Sequence, residues 1–547
     1  MNRKRNIILK GMGFIMMLVA VSSCTKKFDT INTPPFGSPI ANVQQLFTGF
    51  ESNLQLGDPQ VSYNSWVYPI TQQGVVYTKA DYVYGTDGSE NWNSFYNNLS
   101  NYNSLMGVIA ASKDPAIYTN VTAMAKVLRA YQAVKLSNMY GAMPYSEAGK
   151  ALYYSPTNKG VLTPKYDSQQ AVYLSCLADL KWAVDHLSAT DGSQYSMGSG
   201  DVLLQNNISQ WIEFANSLRL RVALTMYDKD QANATAQITE ALSKPLLDAD
   251  NINVGFYPGT SVPNMDLQAR QYSFGTECRL RMGTTMWQLM SSTNATDGSG
   301  IFDPRCSIFF EPNNAGQWNP FPQNPTTSTP HEFGSPYNSS RDNDWLDKDN
   351  GTTNLYANFN YFWARDVTMP ELFMTTSEVH FMKAEAYLRG IGTTINVGTA
   401  MNEYIAGIKS SVTFWTDRAI YATHNNASIA SIGAHPWATS QPSDAAMSAF
   451  LANPVVAFDA GSSAHALKQI YAQEWIDMFR QPWEAWTLMK RTGQTPADPN
   501  NAAGYTTTYG SYNRYQYPST EQTYNFANWQ AATGGSDLIS TKVWIAK

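Results

Sequence analysis

Apolar residues fall into a helical rhythm at eight places along the chain. In 122–137, Ala125, Leu128, Val134 and Leu136 are among those that recur at helical spacing. Tyr140-Gly141-Ala142-Met143-Pro144 then supplies a turn that stops the run. The same spacing predicts helices at 168–187, 210–227, 231–242, 377–389, 398–409, 463–479 and 483–491. In 210–227, Trp211, Phe214, Leu218 and Val222 share one face, which requires a partner helix. Eight such helices pair into four antiparallel hairpins. Small packing positions, as in Ala384-Glu385-Ala386-Tyr387, point to an all-α, tetratricopeptide-like core. Between the helices run long stretches rich in Asn, Gly, Pro, Ser and Tyr, at 57–91, 251–275 and 313–360. Loops of that length in a compact protein are either functional or unstructured, and their many aromatic residues favour function. Trp92 is assigned to the core, because Trp92, Phe95, Tyr96 and Leu99 repeat at helical spacing.

One apolar run has a different origin. A basic start, Met1-Asn2-Arg3-Lys4-Arg5, precedes the apolar residues from Met12 to Val21, and Val21-Ser22-Ser23-Cys24 follows with small residues before a cut. The run is about half of the ~20 residues that a membrane-crossing helix needs. Val-Ser-Ser-Cys resembles a bacterial lipobox, which implies that Cys24 is lipidated. Several acyl chains make such an anchor stable where a single one would be marginal. The expected organisation is a signal peptide at 1–23, a lipidated tether at 24–40 containing Pro34, Pro35, Gly37 and Pro39, and one helical domain at 41–547. With Cys24 used, Cys176, Cys278 and Cys306 remain, so at most one pair can form. Cys176 lies in a helical pattern and reads as a small hydrophobe, while a Cys278–Cys306 bridge stays open.

Composition narrows the function. The chain has 37 basic and 43 acidic residues, and removal of the signal, with Arg3, Lys4, Arg5 and Lys10, leaves 33 basic residues against 43 acidic ones. An acidic body without a basic stripe argues against nucleic acid as a partner. Charged residues make up 15% of the chain, against about 25% in ordinary domains, and Trp, Tyr and Phe number 15, 32 and 23. Such a chain buries many rings and can also display Tyr and Trp, which pair a flat apolar face with a polar tip.

A set of segments stands in a recognisable order: 138–148 (Asn-Met-Tyr-Gly-Ala-Met-Pro-Tyr-Ser-Glu-Ala), Pro164-Lys165-Tyr166-Asp167, 211–221 from Trp211 to Arg221, Asp303-Pro304-Arg305 and Phe381-Met382-Lys383-Ala384-Glu385-Ala386. It continues through Glu484-Ala485-Trp486, Arg491-Thr492-Gly493, Tyr517-Pro518 with Glu521 and Asn525, and Lys542-Val543-Trp544. In these segments the chain resembles the SusD/RagB family of outer-membrane nutrient-binding lipoproteins. These segments read as structural: Arg219 and Arg221 flank an apolar helix face, and Asp303-Pro304-Arg305 is a turn presenting a guanidinium to a nearby carboxylate. The resemblance implies a helical body whose loops form a ligand-binding face. It also implies a SusC-like, TonB-dependent transporter as partner, over which the protein acts as a lid, handing down an oligosaccharide or another nutrient. Lys26-Lys27 departs from the acidic export signal often found after such an anchor.

Two other classes compete, a surface glycoside hydrolase using two carboxylates and a tetratricopeptide scaffold without a small ligand. The sequence contains no Gly-x-Ser-x-Gly, His-Glu-x-x-His or phosphate-loop motif, and its six histidines are scattered singly. No catalytic residue and no cofactor is therefore expected. Asp342, Asp344, Asp347 and Asp349 crowd oxygens before Gly351, but their spacing does not fit an EF-hand, and a solvated acidic loop is the simpler reading of this weak calcium candidate. The ligand is expected on Trp66, Tyr77, Tyr82, Trp318 and Trp345, with Asn319 and Arg341 supplying polar contacts. Sugars offer C–H faces to rings and hydroxyls to amides and guanidinium, and the stretch holding Trp318 and Trp345 has no period that demands a buried ring. The competing reading is that these rings pin their own loops.

Overall fold

The computed structural model describes residues 42–55, 67–75, 88–153, 161–249, 252–257, 280–313, 315–322, 346–347, 352–353, 355–360, 369–425, 438–494 and 512–547. Two long helices open the described chain, with a single turn of helix at Tyr68–Thr71 between them: α1 (Val43–Ser52), capped by the Asn42 side chain, and α2 (Ser89–Ala110). Trp92, Phe95 and Leu99 of α2 are buried, as their spacing predicts.

The eight predicted helices follow. They are α3 (Thr119–Tyr140), α4 (Gln169–His186), α5 (Ile208–Met226), α6 (Gln231–Leu242), α7 (Thr376–Arg389), α8 (Val397–Asn425), α9 (Ser463–Asp477) and α10 (Pro482–Thr492). Their ends carry local signals. Ser168, Asn207, Asp230, Thr375 and Ser462 each accept a hydrogen bond from a backbone N–H in the first turn of α4, α5, α6, α7 and α9. Pro482 begins α10, and Gly493, at φ 61°, ends it in the left-handed conformation. Consecutive helices pack as α3–α4, α5–α6, α7–α8 and α9–α10, the four expected hairpins. Helix α5 joins them, since it also touches α3, α4, α7 and α10. Helix α8 runs well past the predicted 398–409, and Val412, Trp415, Ala419 and Ala422 continue its buried face.

Strands are short and occur in pairs. Met143–Pro144 pairs with Tyr166–Asp167, Val254–Phe256 with Glu371–Met374, and Phe310–Glu311 with Asn358–Phe359, all antiparallel. Cys176 is a buried free thiol, pushed up to about 12 by burial. Cys306 is likewise a buried free thiol rather than one half of a bridge, and Cys278 lies outside the described residues. Among the described residues no helix is long and apolar enough to cross a membrane.

The segments that carry the family resemblance are tied to one another, some at the surface and some in the core. Asp167 accepts from the backbone N–H groups of Tyr145 and Ser146 at 3.0 and 2.7 Å, which closes 138–148 onto 164–167. Tyr166 Oη donates to Glu521 at 2.7 Å, and Tyr517 Oη donates to the Ala142 carbonyl at 2.7 Å. Arg221 of α5 forks onto Glu378 of α7, and Arg219 reaches Glu240 of α6 at 2.7 Å. Arg305 grips Asp303 through Nε and Nη2 at 3.0 and 2.7 Å, then extends to Ser411 of α8 and Gln473 of α9.

Glu385 is the hub of this network. It accepts from Arg491 at 3.1 and 2.9 Å, from Arg389 at 2.6 Å and from the Tyr471 hydroxyl at 2.7 Å, binding α7, α9 and α10 together. Burial works to raise its pKa, but Arg491 and Arg389 outweigh burial and hold the carboxyl below its usual value. Neighbouring Glu474, 3.8 Å from Arg491, is left with too little compensation, and burial pushes it up to about 8. Burial likewise pulls Lys490 down to about 7, although its ammonium donates to the Asn138 carbonyl and sits over the Trp486 ring.

Candidate functional site

The described parts of the two aromatic loop stretches share a common base. Val75 bridges to Arg281 with backbone hydrogen bonds of 3.0 and 2.8 Å, Arg281 bridges to Asn358, and Gly283 bridges to Phe321. Val75, Phe321 and Tyr356 form a small apolar cluster apart from the main core, with the Phe321 and Tyr356 rings edge to face at 4.5 Å. Asn313 and Asn319 each donate a side-chain amide hydrogen to the Leu355 carbonyl at 3.1 Å, and Asn319 accepts from the Ala357 N–H at 2.9 Å. The stems at 75, 280–283, 313–321 and 355–358 are thus tied into one base. Loops anchored on such a base can place side chains on a common face.

Trp318 lies within this base. It is 5% exposed, stacked on Trp287 with centroids 6.3 Å apart and planes at 15°, and its backbone N–H donates to Thr296 at 2.6 Å. Gly298, at φ +81°, makes the stack possible, because a Cβ there would lie 2.9 Å from the indole nitrogen. Asn319 is half-buried, and its amide is engaged with Leu355. Trp66, Tyr77, Tyr82, Arg341 and Trp345 lie outside the described residues. Of the four aspartates weighed for calcium, Asp342, Asp344 and Asp349 also lie outside them, while the backbone of Asp347 pairs with Thr352. Among the described residues no group of three or more His, Cys, Asp and Glu is placed to hold a metal. Sequence reasoning missed Trp287 and the Val75–Phe321–Tyr356 cluster, because neither belongs to a repeating pattern.

Residues 40–518 match the SusD-like family described as starch-binding and associating with the outer membrane. The chain belongs to the SusD-like family. Solved SusD-like proteins share its architecture. A chitin-binding SusD homologue from Flavobacterium johnsoniae is 22% identical, with a TM-score of 0.62 over 92% of this chain and 98% of its own. A SusD-like protein from Bacteroides thetaiotaomicron is 18% identical, with a TM-score of 0.64 over 92% and 99%. A SusD homologue from Parabacteroides distasonis is 19% identical, with a TM-score of 0.65 over 93% and 98%. No curated protein sequence matches the chain. At these identities the likeness speaks to the SusD-like helical fold and not to a ligand.

Proposed function

We propose that this SusD-like protein is a cell-surface lipoprotein, anchored through Cys24, that captures an oligosaccharide and delivers it to a SusC-like, TonB-dependent transporter, over which it acts as a lid. The observation that carries the reading is the match, over residues 40–518, to a family described as starch-binding and outer-membrane associated. The layout of the chain supports it. Recognisable family segments contribute to the core network, while the described ends of the aromatic, amide-rich stretches meet at Val75, Phe321 and Tyr356. Rings beside amides suit a ligand with apolar C–H faces and many hydroxyls. Capture requires no bond to be made or broken, so the protein presents the polymer and other proteins cut it.

Two polymers come first as probes: starch, from the family description, and chitin, because the Flavobacterium homologue is described as chitin-binding. The test is thermal unfolding of the chain from residue 25 onward with malto- and chito-oligosaccharides. A ligand that raises the melting temperature in a concentration-dependent manner is expected, since binding to the native state alone stabilises it. Chromatography of the same mixtures is expected to show no shortened products. Product formation abolished by a single Asp or Glu substitution would replace this reading with a hydrolase. Stabilisation by no saccharide, with a SusC-like barrel still co-purifying, would replace it with an interaction scaffold.

A further inference from the structure

A second place on the molecule has the chemistry of a saccharide site. The start of α3, the segment after α4 and the start of α5 border an open cleft of about 320 Å³, within the size range of small-ligand pockets. Its walls come from 120, 188–196 and 206–209, outside every aromatic loop stretch. We propose that this cleft binds a short, neutral saccharide, independently of the loop face.

The cleft is set in advance. Asn120 exchanges two hydrogen bonds with the Ser188 backbone, both 2.9 Å, and is 4% exposed. Gln194 accepts from the Asn120 N–H at 3.0 Å and donates to the Ala116 carbonyl at 3.1 Å. The Tyr195 ring rests on Tyr118 at 5.1 Å, and its backbone N–H donates to Ile117 at 2.7 Å. On the opposite wall Asn206 holds a φ of 62°, and Gln205 just before the wall holds 53°, both unusual for residues with a side chain. Buried Asp201 fixes that turn by accepting from the Asn206 N–H at 2.7 Å. The Asn206 Oδ1 accepts from Met197, and the Asn207 Oδ1 caps α5.

What this scaffolding leaves over defines the ligand. The NH₂ groups of Asn206 and Asn207 and the hydroxyls of Tyr195 and Ser209 make no hydrogen bond to the described protein, although their residues line the cleft. No Lys, Arg or His lines it, so it offers no cationic side chain to pair with a phosphate or a carboxylate. Its one carboxylate, Asp191, already accepts from Ser193 and Gln194. Amide donors, hydroxyls and one half-buried ring, without a net cation or anion requirement, suit a neutral polyol with a C–H face. Two saccharide sites on one chain would hold a long polymer more tightly than either alone, through the raised effective concentration of the second encounter.

The experiment is hydrogen exchange and calorimetry on the chain from residue 25 onward, with maltoheptaose and chitohexaose as probes. One of them is expected to protect the amides of 188–196 and 205–209. Ala189→Trp, at an exposed position that lines the cleft, fills the cleft and is expected to abolish that protection and remove one class of site, while binding elsewhere persists. Asn207→Asp keeps the helix cap but loses the amide donor, and it is expected to weaken cleft binding at least tenfold with an unchanged melt. Saccharide binding without protection of these segments, and insensitive to both variants, would overturn the cleft while leaving the proposed function intact. Protection of the cleft alone would uphold it and count against the loop face. Failure of both probes to bind anywhere would overturn both.

Discussion

Replacing Glu385 with alanine tests whether the buried hub holds the hairpins together. Glu385 is fully buried and accepts four hydrogen bonds, two of them from Arg491. Arg389 keeps a second partner in Asp228 at 2.7 Å and is partly exposed, so its loss is minor. Arg491 is different: its side chain is 7% exposed, and its remaining acidic neighbour, Glu474, stands 3.8 Å away and keeps its proton at neutral pH. A buried guanidinium stripped of its main partner costs about 3–5 kcal/mol. Glu385→Ala is therefore expected to lose that much in urea denaturation followed by circular dichroism. The double variant Glu385→Leu/Arg491→Met removes both charges and is expected to recover more than half of the loss. A loss below about 1 kcal/mol for Glu385→Ala, or a double variant as unstable as the two singles summed, would refute the argument that an uncompensated charge sets the cost.

Three further outcomes are expected. Glu474 holds its proton up to about pH 8 in the native protein, whereas an ordinary carboxyl with a value of 4.5 has released it. Native stability therefore falls as pH rises through that window. Glu474→Gln is expected to flatten the decline between about pH 5 and pH 7, a range below the Lys490 transition near 7, and equal pH slopes for parent and variant would refute the assignment. Trp318→Ala is expected to lower the melting temperature, at a cost of about 3–5 kcal/mol for a buried ring. A variant that melts like the parent while losing oligosaccharide affinity would place the ring at the ligand instead. Cys24→Ala is expected to release the protein from the membrane in detergent partitioning, and a variant that is processed normally and remains fully membrane-bound would sink the anchor.

Much of the helical body is legible in the sequence because each helix announces itself locally. Thr375, Ser462, Pro482 and Gly493 mark ends, and faces such as that of Trp211, Phe214, Leu218 and Val222 mark what is buried. Helix α8 extends beyond 398–409 because Ser410, Ser411, Thr413 and Thr416, whose helix propensity is weak, are held helical by burial against neighbouring helices. Helix α2 was only half visible because it is rich in Asn. Its buried Asn98 is accommodated by the Phe50 carbonyl and the Gln132 side chain, partners that no local rule supplies. The same limit applies to the loops. The sequence around Trp318 has no period and assigns the ring no direction; its stack on Trp287 beside Gly298 is settled by residues that adjoin it only after folding. The arginines of the family segments are legible as ion-pair donors, but which carboxylate each one meets depends on tertiary packing.

The return of residues 512–547 to the first hairpin has a bearing on timing. Tyr517 bonds to Ala142 across 375 positions, the Ile545 N–H bonds to Gln169 across 376, and Tyr515 donates to the Met139 carbonyl. A chain emerging residue by residue makes α3 and α4 early and receives their last packing partners only after nearly the whole sequence has followed. Until then the apolar rim around Tyr140 stays uncovered, and loop closure over such a span is slow. The first hairpin is thus among the first parts of the body to be made and among the last to be closed, its outer packing waiting on the final 36 residues of the sequence.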